Sequence, residues 1–213
     1  MSRSFTRDGR RRRELLTRGQ RGETGLRERK GGKGKMPTEA FTRGMIQVYT
    51  GEGKGKTTSA LGLGLRAVGQ GLRVCIIQFL KGKATGESRA AARLAPELTW
   101  RNFGRPGLGK LRSPSLEDLR LIKEAWDFAR GIIMAGEHEV VILDEINLAL
   151  AFGQLPLAEV LETLSRRPPR VEVVLTGRQA PPELMELADL VTEMQPVKHY
   201  FQAGVQARAG IEW

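Results

Sequence analysis

The chain predicts an α/β fold, a single domain built on a doubly wound, mostly parallel sheet. Three observations carry this. A glycine- and lysine-rich segment, TGEGKGKTT at 50–58, stands between an apolar run and a helix-like stretch. A second apolar run, VVILDE at 140–145, ends in two adjacent carboxylates. Around them, segments of β-forming composition alternate with segments of helical period, and no internal repeat interrupts the order. At 213 residues and 40% hydrophobic content, one such domain buries about 70% of its unfolded surface.

The elements follow in order. Residues 45–49 contain Ile46, Val48 and Tyr49, the composition of a buried strand. A helix begins at Thr57, with Ala60, Leu61, Leu63, Leu65 and Val68 at helical spacing, and Gly71 ends it. The run 73–80 is a second strand, so the order strand, loop, helix, strand describes a right-handed parallel crossover. Residues 87–94 read as a short helix, 98–103 as a strand, and 104–112 as a loop with three glycines and a proline, long enough to be functional. Ser113 and Pro114 supply cap and first-turn signals for a helix to Ala135, with Leu119, Ile122, Trp126 and Ala129 on one face and Trp126 in the core. After the strand at 140–145 come a helix at 156–165, a strand at 171–176, a helix at 181–188 and a strand at 190–193. Ligands of such a sheet bind at the carboxyl ends of its strands, where Gly177 and Arg178 fall.

The segment 50–58 reads as a phosphate cradle. Gly51, Gly53 and Gly55 let the backbone turn tightly with several N–H groups inward, and the following helix aims its positive end at the same spot. Lys56 reaches the outer phosphates as a point charge, and the Thr57 hydroxyl is placed to ligate magnesium. Gly51, Glu52, Gly53, Lys54, Gly55, Lys56, Thr57 and Thr58 therefore form the nucleotide-binding set. The strict pattern GxxxxGK[ST] requires glycine at 50, where this chain has Thr50, so the loop is a variant. A Gly/Lys-rich surface turn would give a similar string; the flanking strand and helix favour the phosphate loop. VVILDE adds the partner motif, a strand-end acid pair in which Asp144 or Glu145 holds magnesium directly or through water.

The formal charge of +11 suggests nucleic acid until it is located along the chain. Residues 1–35 hold 13 Lys+Arg against 4 Asp+Glu, leaving 22 against 20 elsewhere, so the remainder is nearly neutral. We expect residues 1–40 to be a basic, disordered extension and 41–213 to be the folded domain. Three readings of the extension compete: a solvated arm or partner-covering helix, an over-extended start with translation beginning at Met36 or Met45, and a transit peptide or nucleic-acid arm. No apolar run approaches the roughly 18 residues of a membrane helix. The single cysteine, Cys75, falls inside a strand pattern, as a small buried hydrophobe would. A disulfide-free, cytoplasmic protein is expected, and two histidines, His138 and His199, with one cysteine make no zinc site.

Beyond these motifs, 43–213 resembles the ATP:corrinoid adenosyltransferases of the bacterial cobalamin pathway. The matching segments are RGMIQVYTGEGKGKTTSALG at the phosphate loop, IIQFLKG at 76–82, VVILDEINLAL at 140–150, VLTGRQAP at 174–181, and ADLVTEMQPVKHYFQAGVQARAGIEW at the end. The resemblance implies a P-loop NTPase-type (RecA-like) sheet, a homodimer, and transfer of the 5′-deoxyadenosyl group of ATP to the cobalt(I) of a reduced corrinoid with magnesium as cofactor. A flavin-dependent or flavodoxin-type reductant is expected as partner, and the nearly neutral body and the lack of a long apolar run lead us to expect no nucleic acid and no membrane. Cobalt(I) is itself the nucleophile, so the protein needs no general base; it aligns cobalt with the ribose C5′ and stabilises the departing triphosphate. On this reading Lys56 and Arg178 are catalytic phosphate contacts, Thr57 and Glu145 ligate the metal, and Asp144 supports them. Lys81 and Lys198 lie in matching segments but stay outside the assigned site. Two departures fall near the ligands: many relatives carry asparagine where this chain has Glu52, and Leu108 and Lys110 occupy the corrinoid-facing loop where some relatives use aromatics.

Two other classes compete with the transferase. A RecA-like ATPase acting on nucleic acid through the basic extension is opposed by the nearly neutral body. A nucleotide-dependent scaffold without chemistry is opposed by the intact set of Lys56, Thr57, Asp144 and Glu145.

Overall fold

A computed structural model describes residues 41–105 and 113–212. The extension 1–40 and the loop positions Leu108 and Lys110 lie outside the described residues. Six strands form one sheet: β1 (Ile46–Thr50), β2 (Val74–Phe79), β3 (Leu98–Phe103), β4 (Val140–Asp144), β5 (Glu172–Thr176) and β6 (Leu190–Glu193). Their spatial order is β3-β2-β4-β5-β1-β6, and all five pairings are parallel. Strand β5 thus separates the phosphate-loop strand from the strand bearing the acid pair.

Six helices cover the sheet: α1 (Lys56–Gly69), α2 (Gly86–Ala91), α3 (Leu116–Ala135), α4 (Ile146–Ala151), α5 (Leu157–Arg166) and α6 (Pro182–Leu187). Strands β2, β4 and β5 are buried at every position, so they read as largely apolar runs rather than alternating patterns, with Gln78 next to last in β2, Asp144 and Thr176 last in β4 and β5, and Glu172 opening β5. One core layer gathers Ile122, Trp126 and Ile133 of α3, Ile146 of α4, Leu164 of α5 and Leu184 of α6. The opposite layer gathers Ala60 and Ala67 of α1 with Val74, Ile76 and Ile142. Cys75 is buried and free, and Trp126, fully buried, donates its indole N–H to Glu159 at 2.9 Å.

Helix α1 meets the sheet through small residues. Its buried side chains include Ala60 and Ala67, and at Gly64 an added Cβ would stand 3.2 Å from Ile142 Cδ1 and 3.5 Å from Val74 Cγ1. Leu61, Leu63 and Val68 flank this stripe half-buried, whereas Leu65 is 58% exposed and does not join the core face its spacing suggested. The close approach brings the first turn of α1 over the carboxyl ends of the strands.

Helix α3 starts at Leu116, not at the Ser113–Pro114 signal. Ser115 and Asp118 form a reciprocal capping box, satisfying two first-turn donors at once. Arg105, just past β3, clamps the same carboxylate at 2.7 and 3.1 Å. The Arg105 bonds, with Ser115's, hold the Asp118 carboxyl well below the usual range. Gly136, at φ 63, closes the helix in the left-handed conformation.

Helix α4 is an element the periodicity does not announce. INLALA is apolar nearly throughout and sits against a strand of the same character. The break between them is made by Glu145 at φ 67, a conformation a glutamate seldom adopts. Leu80 after β2 and Gln179 after β5 also have positive φ, at 62 and 55, so three such residues gather at one edge of the sheet.

The packing separates two apolar residues that look alike in sequence. Trp126→Ala removes a fully buried ring and should cost about 3–5 kcal/mol, whereas Leu65→Ala on the exposed face of α1 should cost under about 0.5 kcal/mol. Urea unfolding of both variants measures the difference.

Candidate active site

The phosphate loop runs from the end of β1 into α1. Thr50 remains within β1, paired with Glu193, and its hydroxyl accepts the Ala180 N–H at 3.2 Å. The positive φ that the turn demands is supplied by Gly51 (93) and Gly55 (123), which explains why threonine serves at the first position. Added Cβ atoms at Gly51 and Gly53 would stand 2.5 and 2.7 Å from the Met194 carbonyl oxygen, so no larger residue fits either place. That carbonyl accepts the Gly53 N–H at 2.6 Å, pinning the loop to the end of β6. No side chain caps α1, which leaves its first-turn N–H groups for an anion.

Lys56 lies back across its own loop, its ammonium donating to the Gly51 carbonyl at 2.7 Å and the Gly53 carbonyl at 2.6 Å. Burial pushes its pKa down, with Glu145 acting the other way. The Thr57 hydroxyl donates to Asp144 Oδ1 at 2.8 Å. Thr176 donates to the same oxygen at 2.7 Å, and Gln78 donates to Oδ2 at 2.7 Å. Gln78 in turn accepts from Asn102 at 2.9 Å. Register places Asn102, Gln78 and Asp144 side by side on β3, β2 and β4, and Thr176 extends the row on β5.

Glu145 is the acid that faces the pocket. With Glu52, Gly53, Lys54, Gly55, Lys56, Thr57, Thr58 and Arg178 it lines a cleft of about 320 Å³. Of the residues assigned from sequence, Gly51 and Asp144 are not part of this wall: Gly51 shapes the loop from behind, and Asp144 is buried among its hydrogen-bond donors. Lys81 Nζ stands 3.9 Å from Asp144 Oδ2 and 4.0 Å from Glu145 Oε1, bringing a lysine set aside in the sequence reading into the site. Arg178 pairs with Glu52 at 2.9 Å. A neighbouring cavity of about 490 Å³ shares Glu52, Arg178, His199 and Glu212 with the cleft and adds Tyr200 and Phe201.

Sequence reasoning missed several contributors. Gln78 and Thr176 are polar residues at or next to the carboxyl ends of runs that are otherwise apolar, a signal present in IIQF and VVLT. Asn147 donates to the Gly177 carbonyl at 3.1 Å and so steadies the turn carrying Arg178. The C-terminal hook had no periodic signal at all. There Tyr200 and Arg208 both bond Glu212, holding its carboxyl down at about 2, and Lys54 reaches the Ile211 carbonyl at 3.3 Å.

The profile of the family ATP:corrinoid adenosyltransferase BtuR/CobO/CobP matches residues 42–213. The chain belongs to this family. A corrinoid adenosyltransferase of Pseudomonas aeruginosa is 40% identical over 172 residues, covering 80% of this chain and 84% of that protein. One from Escherichia coli K12 is 37% identical over 179 residues, covering 80% and 86%. In fold alone the chain is similar to the flagellar accessory protein FlaH of Methanocaldococcus jannaschii, with a TM-score of 0.51, 14% identity and 71% of each chain covered. Family membership makes this chain an ATP:corrinoid adenosyltransferase, with ATP and a corrinoid as its substrate classes.

Burial first, and the neighbouring Asp144 second, raise the Glu145 carboxyl above its ordinary value against the pull of Lys81, Lys56 and Arg178. A raised carboxyl binds its proton more tightly in the native state. Its contribution to stability is therefore full below the unfolded value and is lost as pH rises through the folded one. Glu145→Gln, uncharged throughout, should melt above the wild type at neutral pH in the ligand-free protein and together with it below about pH 4. Calorimetry across that range tests the sign.

Proposed function

We propose that this chain transfers the 5′-deoxyadenosyl group of ATP to the cobalt(I) of a reduced corrinoid and releases triphosphate. The observation that carries the reading is the joining of uncapped helix amides, Lys56 and an oxygen-donor set at the mouth of one sheet. The amides and Lys56 receive the triphosphate, Lys56 exchanging its two loop carbonyls for phosphate oxygens. Thr57, Glu145 and Asp144 offer only oxygen donors, which suits a hard divalent ion such as magnesium. Asp144 is already engaged by three donors, so it orients the Thr57 hydroxyl while Glu145, facing the cleft, takes the ion. Bound there, magnesium supplies positive charge to the departing triphosphate.

Arg178 is a further phosphate contact, and the aromatic cavity beyond it offers the nucleoside an apolar wall beside its charged rim. No side chain acts as a general base, because the nucleophile carries no proton to remove. The chain works as a homodimer with a flavin-dependent or flavodoxin-type reductant, in the cytoplasm, without nucleic acid. No helix among the described residues is long and apolar enough to cross a membrane.

The product identifies the reaction. With MgATP and chemically reduced cob(I)alamin under anaerobic conditions, triphosphate should appear in step with the light-sensitive cobalt–carbon bond, and DNA or RNA should change neither. Lys56→Ala, folded by circular dichroism, should lose on the order of a hundredfold in turnover. ADP and phosphate released under nucleic-acid stimulation, with no adenosylated corrinoid, would replace this reading by a RecA-like ATPase.

A further inference from the structure

The cleft around the phosphate loop is balanced in charge. Lys54, Lys56, Lys81 and Arg178 line it, and four glutamates line it too. Three of those glutamates have other roles: Glu145 belongs to the acid pair, Glu212 holds the C-terminal hook through Tyr200 and Arg208, and Glu87 belongs to α2. Glu52 alone stands on the phosphate loop itself, between two glycines that pack against Met194 and admit no larger residue. It bonds Arg178, the one arginine lining the cleft among the described residues, at 2.9 Å.

We propose that Glu52 is a release-tuning residue: it competes with the triphosphate for Arg178 and so weakens retention of the triphosphate product. The inference rests on the adenosyl-transfer reading of this site. Two features of the pair make it a competitor rather than a fixed strut. Both side chains are about half exposed, at 55% and 53%, so solvent screens the attraction and the bond opens readily. Both residues also line the cleft and the aromatic cavity, so they stand at the junction of the two. When Arg178 turns to the phosphates, Glu52 is left unpaired beside a polyanion, which opposes the bound state twice.

The effect discriminates between substrate and product. ATP keeps a second anchorage through its nucleoside, whereas the triphosphate that remains after transfer holds on through phosphate contacts alone. A counter-charge at the phosphate loop therefore costs the product a larger share of its binding and favours its departure, a step that limits many enzymes.

Calorimetric titration of inorganic triphosphate with magnesium into the full-length protein tests this without turnover. Four proteins form a cycle: wild type, Glu52→Gln, Arg178→Met and the double variant, each first checked by thermal melting. Glu52→Gln should tighten triphosphate binding by about three- to fivefold when Arg178 is present and by less than about twofold when it is absent. No tightening, or equal tightening in both backgrounds, overturns the proposal. A wild type that binds no triphosphate and does not differ from Lys56→Ala would overturn the phosphate-site reading instead.

Discussion

The buried carboxylate of Asp144 is the constraint around which the site is arranged. It is 1% exposed, and a charge so placed is tolerated only when hydrogen bonds replace its lost water. Thr57, Thr176 and Gln78 supply them from α1, β5 and β2. Hydrogen bonds to a charged group contribute about 1.5–3 kcal/mol each, and here each one also ties a separate element to the acid strand. The phosphate loop is therefore registered against the sheet by polar bonds as well as by packing. Asn102 extends the row through Gln78, so a stripe of polar side chains crosses the mouth of four strands.

Strain is concentrated along the same edge. Leu80, Glu145 and Gln179 follow three strands with positive φ, each turning the chain sharply at the carboxyl ends of the strands. Glu145 shows what this accomplishes. The turn separates it from Asp144, so two adjacent acids receive opposite environments: one saturated by donors, the other aimed into the cleft with its ionisation disfavoured by burial. A regular strand would have sent the two side chains to opposite faces of the sheet. The close seat of α1, made possible by Ala60, Gly64 and Ala67, then brings its amides to the same place.

Electrostatics at the cleft is a matter of restraint. Lys56 bonds its own loop, Arg178 bonds Glu52, and Lys81 leans toward the acid pair, so each of these three cations of the cleft has a partner. Such partners offset the positive charge of the cleft. They also set the cost of the phosphate binding proposed above, in which Lys56 and Arg178 would exchange these partners for phosphate oxygens.

Residues adjacent in sequence determined much of this protein on their own. The strand, loop, helix order around TGEGKGKTT, the acid pair closing VVILDE, and the apolar runs of β2 and β5 are local signals, and composition with glycine geometry suffices to read them. The family resemblance rested on the same segments and on the C-terminal run ADLVTEMQPVKHYFQAGVQARAGIEW. What only the tertiary structure decided depends on strand order and on single turns. That β5 lies between β1 and β4, that Gln78 and Thr176 meet Asp144, and that Glu52 meets Arg178 across 126 positions of chain follow from register, which no local period encodes. Helix α4 was hidden because an apolar run flanked by buried neighbours shows no period, and the start of α3 moved because a reciprocal capping box outweighs a proline signal. The C-terminal hook came last of all: its bonds among Tyr200, Arg208 and Glu212 close between irregular segments, where side-chain contact, not periodicity, determines the shape.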